Sequence, residues 1–272
     1  MGILEAIFLG VLQGLTEFLP VSSSGHLVLT QKIMGISEPA LLFDTLLHMG
    51  TLIAVLIVLW KDVWALVRWP FQRLTGLIVA GTIPTVIIAL LFKDLIEHAF
   101  SSGAFLGIGF LLTTGILLTS EWLSSRKKVG RGEGEMTYAD ALLIGTLQGV
   151  AIFPAVSRSG STIAGALGLG LDREFAARFS FLMAIPAILG AFVLQVKDLL
   201  PALKAHDSDA LFGGIGLPAI IAGTVTSAVV GVFAVRFMLT IIKKKNLKGF
   251  ALYTGILGVL VLLDQLFLHI IF

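Results

Sequence analysis

Six stretches of the chain are continuous apolar runs of the length that a membrane-spanning helix needs. About 20 predominantly apolar residues cross the hydrocarbon core of a bilayer. The runs that meet this requirement lie at residues 42–60, 74–92, 104–122, 175–196, 214–238 and 250–270. The pattern therefore predicts an all-α polytopic membrane protein with six transmembrane helices, forming one integral membrane domain over residues 1–272.

A seventh apolar segment is shorter, and it occurs twice. Residues 10–26 (GVLQGLTEFLPVSSSGH) recur at residues 145–161 (GTLQGVAIFPAVSRSGS) with a constant offset of 135 and nine identities in 17 positions. Glu17 in the first copy corresponds to Ile152 in the second, and His26 corresponds to Ser161. The two copies share a backbone plan but carry different polar side chains.

Each copy is predicted to be a re-entrant helix hairpin. An apolar helix of about 13 residues runs into Pro20 or Pro154, and a turn rich in serine and glycine leads to a second short helix at 27–35 or 162–171. Proline breaks the hydrogen-bond ladder of a helix. Irregular backbone at membrane depth is tolerated only where protein buries it or where it lines a cavity.

The repetition continues beyond the hairpins. The string AGT at 80–82 recurs at 222–224, and TGIL at 114–117 recurs at 254–257. Each half is then one hairpin followed by three spans, and because three is odd, the second half is expected to be inverted relative to the first. Inverted repeats bring their broken helices together near the midplane of the bilayer.

The positions of the basic residues predict the orientation of the chain. With the N-terminus outside, the inner loops and helix ends carry fourteen Lys and Arg residues and the outer ones carry four. Because cytoplasmic loops are enriched in these residues, both termini are expected to be external, and the first hairpin is expected to open outward. A cytoplasmic linker at 124–137 would join repeat 1 (1–123) to repeat 2 (138–272).

Composition agrees with a membrane protein. Charged residues make up 13% of the chain and the mean hydropathy is +1.00, whereas a soluble domain carries roughly a quarter charged residues. The absence of cysteine excludes a disulfide framework and a zinc–thiolate site. The first residues, MGILEAIF, lack a basic region and a cleavage site, so they are expected to be mature sequence.

Arg158 is the clearest candidate for a functional residue. An ionisable side chain near the bilayer centre costs about 2.5–3.5 kcal/mol on insertion scales and usually marks a site. A helix N-terminus favours an anion, and a guanidinium fork suits phosphate oxygens. The segment therefore predicts an oxyanion or diphosphate cradle, or alternatively a structural ion pair with a carboxylate. The cradle would comprise Ser157, Arg158, Ser159, Gly160, Ser161 and Thr162.

A second group of candidates lies in the first hairpin. Gln13 and Glu17 are four residues apart and so share one face of a helix. A buried carboxylate can hold a divalent cation through oxygen or act as a general base. His26 is a candidate nucleophile or proton donor, although a satisfied core histidine is the alternative. These side chains would converge with Arg158, to which Glu17 could also form a salt bridge. The turn between them supplies Ser22, Ser23 and Ser24.

A third pair of polar residues lies at the outer end of the first long run. Asp44 and His48 are also four residues apart. They are expected either to form a second layer around the site or to form a hydrogen-bonded pair within their helix.

The two copied motifs resemble those of a known family. QGLTEFLPVSSSGH at 13–26 and PAVSRSGST at 154–162 are similar to the two signature motifs of the bacterial undecaprenyl-pyrophosphate phosphatases, also called bacitracin-resistance proteins. The resemblance covers essentially the whole chain in length and in segment order. Two positions depart from the commonest family pattern: residue 13 is Gln rather than Glu, a weaker metal ligand, and residue 155 is Ala where Gly is common.

The resemblance implies a function and a setting. The expected reaction is dephosphorylation of a C55 lipid carrier from diphosphate to monophosphate at the outer side of the bacterial inner membrane, which recycles the carrier for peptidoglycan synthesis and confers bacitracin resistance. The expected partners are a divalent cation (Mg²⁺ or Ca²⁺), the polyprenyl diphosphate substrate, membrane lipids and a second copy of the chain in a homodimer. No nucleic-acid partner is expected.

The resemblance places the functional positions of the family at Gln13, Glu17, Ser23, His26, Ser157, Arg158 and Thr162. The chemistry of the two motifs then favours Glu17, Ser23, His26 and Arg158 as catalytic residues. Ser23 is the favoured nucleophile, with His26 or water as alternatives, Glu17 and His26 would have acid/base roles, and Glu17 with Gln13 would hold the metal. The residues expected to bind substrate are Gln13, Ser22, Ser24, Ser157, Ser159, Gly160 and Thr162. The competing hypothesis is a transporter or flippase of an anionic polyprenyl lipid, because inverted repeats with broken helices are also typical of secondary transporters.

Overall fold

The computed structural model describes residues 1–36, 41–126, 130–205 and 214–272, and these residues form helices and no β-strand. The helices are α1 (Ile3–Thr16), α2 (Ser23–Ile33), α3 (Leu41–Val58), α4 (Trp60–Arg68), α5 (Arg73–Leu91), α6 (Lys93–Ser102), α7 (Leu106–Arg126), α8 (Tyr138–Val150), α9 (Arg158–Gly168), α10 (Arg173–Ala205), α11 (Leu217–Lys244) and α12 (Lys248–Leu263). A π-helical turn, Asp264–Leu268, extends α12, and a 3₁₀ turn, Glu133–Glu135, precedes α8.

The helices provide five or six membrane spans. Among the described residues, five helices are long and apolar enough to cross a bilayer, namely α5, α7, α10, α11 and α12 with its π-helical extension. Helices α3 and α4 make a sixth if the pair is counted as one span, but they are bent by 85° relative to each other. The predicted all-α membrane fold is therefore confirmed. The run at 42–60 ends at this bend.

Helix α4 turns away from α3, and it has one face that packs against the protein and another that is exposed. On one side, Asp62 pairs with Arg178 of α10, and Leu66 packs against the core. On another, Trp60 and Trp64 stack on each other with ring centroids 5.6 Å apart, and both are at least half exposed. Tryptophan favours the membrane interface, so α4 has the composition of a helix that lies along the surface of a bilayer.

Both copies of the repeated motif form a pair of short helices with an irregular segment between them. Their second helices begin earlier than expected, at Ser23 and Arg158 rather than near residues 27 and 162. The reason is an N-cap in each copy: the Ser22 hydroxyl accepts a hydrogen bond from the Gly25 amide (3.3 Å), and the Ser157 hydroxyl accepts one from the Gly160 amide (3.0 Å). A serine in this position satisfies an amide that the first turn leaves unpaired. The serines after each cap therefore lie on a helix, not in a turn.

The two halves of the chain pack into each other in a reciprocal way. Helix α1 packs along α11, and α8 packs along α5. Both contacts use equivalent glycines: a Cβ atom on Gly10 would clash with the carbonyl oxygen of Gly223, and one on Gly145 would clash with that of Gly81. Only glycine permits so close an approach of two backbones. The first short helix of each half is thus held by the middle long helix of the other half.

The third long helices of the halves also meet. Helices α7 and α12 pack together, and the hydroxyls of Thr114 and Thr254, which are equivalent in the repeat, are 2.9 Å apart. The largest apolar cluster lies between the halves and includes Phe18, whose ring meets that of Phe181 edge-on at 5.3 Å. This core fixes the segment that follows α1 against α10.

Candidate active site

Glu17 lies at the centre of the candidate site. It follows α1 directly, and its side chain is 3% exposed. One carboxylate oxygen accepts a hydrogen bond from Arg158, and the other accepts bonds from Ser23 (2.5 Å) and Gln13 (2.9 Å). The predicted meeting of Glu17 with Arg158 is confirmed, as is the shared face of Gln13 and Glu17.

Arg158 is the first residue of α9 and reaches Glu17 from the other half of the chain. Its side chain is 18% exposed, so it lies nearer the surface than the carboxylate. Within the described ranges, Glu17 is the hydrogen-bond partner of the guanidinium, which uses one of its terminal nitrogens for this bond. An arginine has five N–H donors, so the group keeps donors with which to bind an anion beside the carboxylate.

The hydroxyls around Arg158 have partners within the protein. Ser159 donates to the carbonyl of Leu19 (2.9 Å), which ties α9 to the irregular segment of the first copy. Thr162 donates to the carbonyl of Arg158 (2.9 Å) and lies 2.6 Å from the hydroxyl of Ser180. These hydrogen bonds hold the segment around Arg158 in place. Together with the Ser157–Gly160 cap, they already use the hydroxyls of Ser159 and Thr162 and other groups that were expected to bind substrate. The side chain of Ser161 is buried, and its hydroxyl has no hydrogen-bond partner among the described residues.

Ser23 is the hydroxyl most directly coupled to the carboxylate. It is the first residue of α2, is 9% exposed, and donates to Glu17. The preceding Ser22 has a left-handed backbone (φ +71°) and lies 3.3 Å, hydroxyl to hydroxyl, from Ser24. A hydroxyl that donates to a buried carboxylate is arranged as a nucleophile beside its general base.

His26 forms its hydrogen bonds with groups other than the Glu17 carboxylate. Its Nδ1 lies 2.6 Å from the carbonyl oxygen of Ser22, and its Nε2 lies 2.7 Å from the hydroxyl of Tyr253 on α12. The two rings are stacked, with 5.7 Å between centroids and 9° between planes. His26 was expected to converge with Glu17, but within the described ranges its polar contacts are with Ser22 and Tyr253.

His48 is the additional group that reaches the carboxylate. Its Nε2 is 3.5 Å from Glu17, and its Nδ1 is 2.7 Å from the backbone carbonyl of Asp44. The carboxylate of Asp44 accepts a hydrogen bond from Gln31 (2.7 Å). His48 thus contacts both Glu17 and the backbone carbonyl of Asp44, so each of the two interpretations of this pair describes one of its contacts.

Oxygen atoms of Glu17 and Gln13 could supply part of the coordination shell of a divalent cation. Gln13 donates through its amide nitrogen, and its amide oxygen is buried without a hydrogen-bond partner among the described residues. In the same ranges, no group of three or more His, Cys, Asp or Glu side chains could hold a metal ion. Mg²⁺ is commonly bound by one or two carboxylates together with water and substrate phosphate. Glu17 and Gln13 fit that mode of binding and not a complete protein cage.

Comparison with known proteins gives a consistent result over the whole chain. The family model described as "Bacitracin resistance protein BacA" matches residues 6–260. A protein of Carboxydothermus hydrogenoformans named "Undecaprenyl-diphosphatase" is 50% identical over 266 residues, which cover 97% of this chain and 98% of the relative. "Undecaprenyl-diphosphatase 4" of Bacillus thuringiensis subsp. konkukian is 46% identical over the same shares, and "Undecaprenyl-diphosphatase" of Methanosphaera stadtmanae is 41% identical over 285 residues, again 97% of this chain and 98% of the relative.

Proposed function

Because the chain belongs to the bacitracin resistance protein BacA family, we propose that it is an undecaprenyl-diphosphatase. It hydrolyses undecaprenyl diphosphate to undecaprenyl monophosphate and phosphate, and so returns the lipid carrier to peptidoglycan synthesis and contributes to resistance to bacitracin. The single observation that carries the chemistry is the contact of one buried carboxylate, Glu17, with both the hydroxyl of Ser23 and the guanidinium of Arg158.

In the proposed reaction Ser23 is the nucleophile. Its oxygen attacks the terminal phosphorus of the substrate while Glu17 takes the hydroxyl proton. The bond from that phosphorus to the bridging oxygen breaks, and undecaprenyl monophosphate leaves. Water then hydrolyses the resulting phosphoserine, so that the hydroxyl of Ser23 is restored and phosphate is released. The short hydrogen bond between Ser23 and Glu17 supports this assignment.

Arg158 neutralises the charge of the diphosphate. Phosphoryl transfer depends mainly on positioning and on electrostatic stabilisation of the charge spread over the phosphoryl oxygens. The free N–H groups of Arg158 and those at the N-terminus of α9 can both donate hydrogen bonds to an anion. Glu17 and Gln13 would hold Mg²⁺ or Ca²⁺, and a divalent cation bound there supplies further positive charge against the diphosphate.

The arrangement in the membrane is part of the proposal. Helices α1–α2 and α8–α9 are re-entrant hairpins, the two halves have inverted topology, both termini are external, and the site opens outward from a bacterial inner membrane. The distribution of Lys and Arg residues and the reciprocal packing of α1 on α11 and α8 on α5 support this arrangement. The functional unit is a homodimer, as the family resemblance implies.

The site favours hydrolysis over lipid transport. Binding an anionic headgroup requires Arg158 and backbone donors, whereas a serine hydroxyl donating to a buried carboxylate adds a nucleophile and a base. The test is phosphate release from undecaprenyl diphosphate by purified protein with Mg²⁺ or Ca²⁺, with Ser23→Ala as the control. Release by the parent and its loss in the variant are expected. A parent protein that releases no phosphate while moving the lipid across vesicle membranes would contradict the proposed function.

A further inference from the structure

The hydrogen bonds of His26 define its protonation pattern. A backbone carbonyl can only accept, so the ring nitrogen that lies 2.6 Å from the Ser22 carbonyl, Nδ1, must carry a proton. In a neutral imidazole the other nitrogen, Nε2, is then an acceptor. Its partner at 2.7 Å is the hydroxyl of Tyr253, which donates. Both nitrogens of His26 are therefore engaged, and one tautomer fits both contacts.

The surroundings of His26 also fix its plane. The ring stacks on Tyr253 and meets Phe110 edge-on at 5.4 Å, and the residue is 6% exposed. Tyr253 is 47% exposed. The phenol thus covers the face and one nitrogen of a buried imidazole, and it does so from the outside of the helix bundle.

Tyr253 and the equivalent residue of the first half both form hydrogen bonds with the opposite half of the chain. Its equivalent in the first half is Thr113, since TGIL follows both residues. The hydroxyl of Thr113 donates to the carbonyl of Ala155 (3.0 Å) and accepts from the amide of Ser157 (2.9 Å). Thr113 therefore holds the break between α8 and α9, whereas Tyr253 holds a side chain in the first turn of α2, in each case in the opposite half of the chain. In the half that carries Tyr253, the group that is held is a titratable side chain.

We propose that Tyr253 is a positioning residue of this site. Its hydroxyl holds His26 in the tautomer protonated at Nδ1, with the lone pair of Nε2 accepting the hydrogen bond of the phenol, so that neither ring nitrogen is free to attack phosphorus and the imidazole is not the nucleophile. Direct attack by His26 would require Nε2 to give up Tyr253, or Nδ1 to give up the backbone. This inference rests on the proposed function for its effect on turnover, but the tautomer itself can be measured independently of any activity.

The kinetic test uses Tyr253→Phe, which keeps the stacked ring and removes the hydroxyl. We expect kcat to fall by about tenfold, which is less than the roughly 10²–10⁴-fold that a general acid–base group itself contributes, because the imidazole is still present and only its positioning is lost; KM should be nearly unchanged. Tyr138→Phe is the matched control, because Tyr138 is the other tyrosine of the chain and is exposed at the start of α8; it should leave kcat unchanged. A Tyr253→Phe variant with the parent kcat would overturn the proposal.

A double-variant comparison shows whether Tyr253 acts through His26. In a His26→Ala background, Tyr253→Phe should have no further effect on kcat, because the group that it positions is gone. An equal loss in both backgrounds would mean that the tyrosine acts on something else, and it would overturn the proposal.

A spectroscopic test does not depend on turnover. In protein labelled with ¹⁵N in the histidine rings, the His26 signals are identified by their absence in His26→Ala. We expect the Nδ1-protonated tautomer in the parent and a shift of the Nε2 resonance in Tyr253→Phe, as its hydrogen bond is lost. An unchanged Nε2 resonance, or the opposite tautomer in the parent, contradicts the inference. If the protein released no phosphate, the proposed function would fail while this measurement still decided the role of Tyr253.

Discussion

At the scale of single residues, the candidate site contains one compensated pair of charges, a buried carboxylate and a partly buried guanidinium. Glu17 and Arg158 neutralise each other, and each is the principal partner of the other. Removing one member of such a pair leaves the other charge uncompensated, and in the proposed reaction it would also remove a group that stabilises the reacting phosphate. We therefore expect the pair to contribute both to the local structure and to the reaction.

Replacement of either charge is expected to abolish most of the activity. Glu17→Ala and Arg158→Ala should each reduce turnover by at least about a hundredfold, the size of effect seen when a charge-stabilising group is lost. Arg158→Lys should also be poor, because a point charge does not replace a bidentate fork. The measurement is the rate of phosphate release from undecaprenyl diphosphate by purified variants.

A matched control separates catalysis from the general loss of an ion pair. Arg178 of α10 pairs with Asp62 of α4, an ion pair that does not include Glu17. Arg178→Ala should keep the turnover of the parent. Near-normal activity of Glu17→Ala or Arg158→Ala would show that the role assigned to that residue is wrong.

Gln13 offers a test of the metal site. Its amide oxygen is buried and has no hydrogen-bond partner in the part of the chain that the structure describes. Gln13→Ala should therefore raise the concentration of Mg²⁺ or Ca²⁺ needed for half-maximal activity by about tenfold or more, the scale of effects around metal ligands. Gln13→Glu supplies a stronger ligand and should lower it. The equivalent residue of the second copy, Gln148, also has a buried oxygen without a partner among the described residues. Gln148→Ala should leave the metal requirement unchanged, and a shift as large as that of Gln13→Ala would argue against a metal at Gln13.

Sequence patterns predicted the site residues that depend on local geometry. The spacing of Gln13 and Glu17 follows from helical periodicity, and the duplicated motif predicted the meeting with Arg158. The partner of His26 could not be predicted, because Tyr253 lies 227 residues away and no local pattern specifies how α12 packs. The hydroxyl of Ser159 was expected to bind phosphate because only its residue type and its place in the motif can be seen in the sequence. Its hydrogen bond to the carbonyl of Leu19 depends on tertiary packing and could not be predicted.

At the scale of elements, the break between α8 and α9 contains an alanine in an unfavourable conformation. Ala155 has φ +62° and is fully buried. The left-handed conformation costs an L-residue roughly 1–2 kcal/mol, and a buried methyl group contributes about 0.8 kcal/mol. These two effects are similar in size, which explains how alanine is accommodated at a position with a positive φ angle.

Substitutions at Ala155 test this balance. Ala155→Gly should change the free energy of unfolding by less than about 1 kcal/mol, because relief of strain offsets the lost methyl. Ala155→Val should destabilise the protein by about 1–3 kcal/mol and reduce activity, since its added methyls meet the tightly packed backbones of Gly25 and Gly109. Thermal unfolding in detergent, followed by circular dichroism, measures both. Unfolding of Ala155→Val at the parent temperature would contradict the argument.

The long helices could be predicted from the sequence because length and hydropathy alone indicate a membrane span. Long apolar runs gave the spans, since length and hydropathy suffice for a helix in lipid. The 85° bend after Val58 was not predictable from hydropathy, because the run continues through Leu59 and Trp60 while the position of α4 is fixed by the contact of Asp62 with α10. The starts of α2 and α9 were placed too late because the capping roles of Ser22 and Ser157 were not recognised.

At the scale of the whole molecule, the two halves are interlocked and not simply adjacent. Helix α1 depends on α11 for its packing partner, and α8 depends on α5. The duplicated sequence predicted two similar halves, and counting three spans in each predicted that one is inverted. Which helices exchange partners was beyond the sequence, because the close contacts of Gly10 with Gly223 and of Gly145 with Gly81 are set by surface shape.

The proposed inverted topology can be tested by locating equivalent loops of the two halves relative to the membrane. The connection between α5 and α7 and the connection between α11 and α12 occupy the same place in the two halves. Inversion requires them to lie on opposite faces of the membrane, and a parallel repeat would place them on the same face.

The chain has no cysteine, so a single introduced thiol reports one position. Ser101→Cys and Gly249→Cys suit the purpose because both residues are exposed. In intact cells a membrane-impermeant maleimide should label Ser101→Cys and should reach Gly249→Cys only after the membrane is opened. A matching pair, Ile270→Cys outside and Gly134→Cys inside, checks the ends of the halves. Labelling of Ser101→Cys and Gly249→Cys from the same side would rule out inversion, and it would leave the contact of Glu17 with Arg158 without the membrane geometry proposed to bring the two hairpins together.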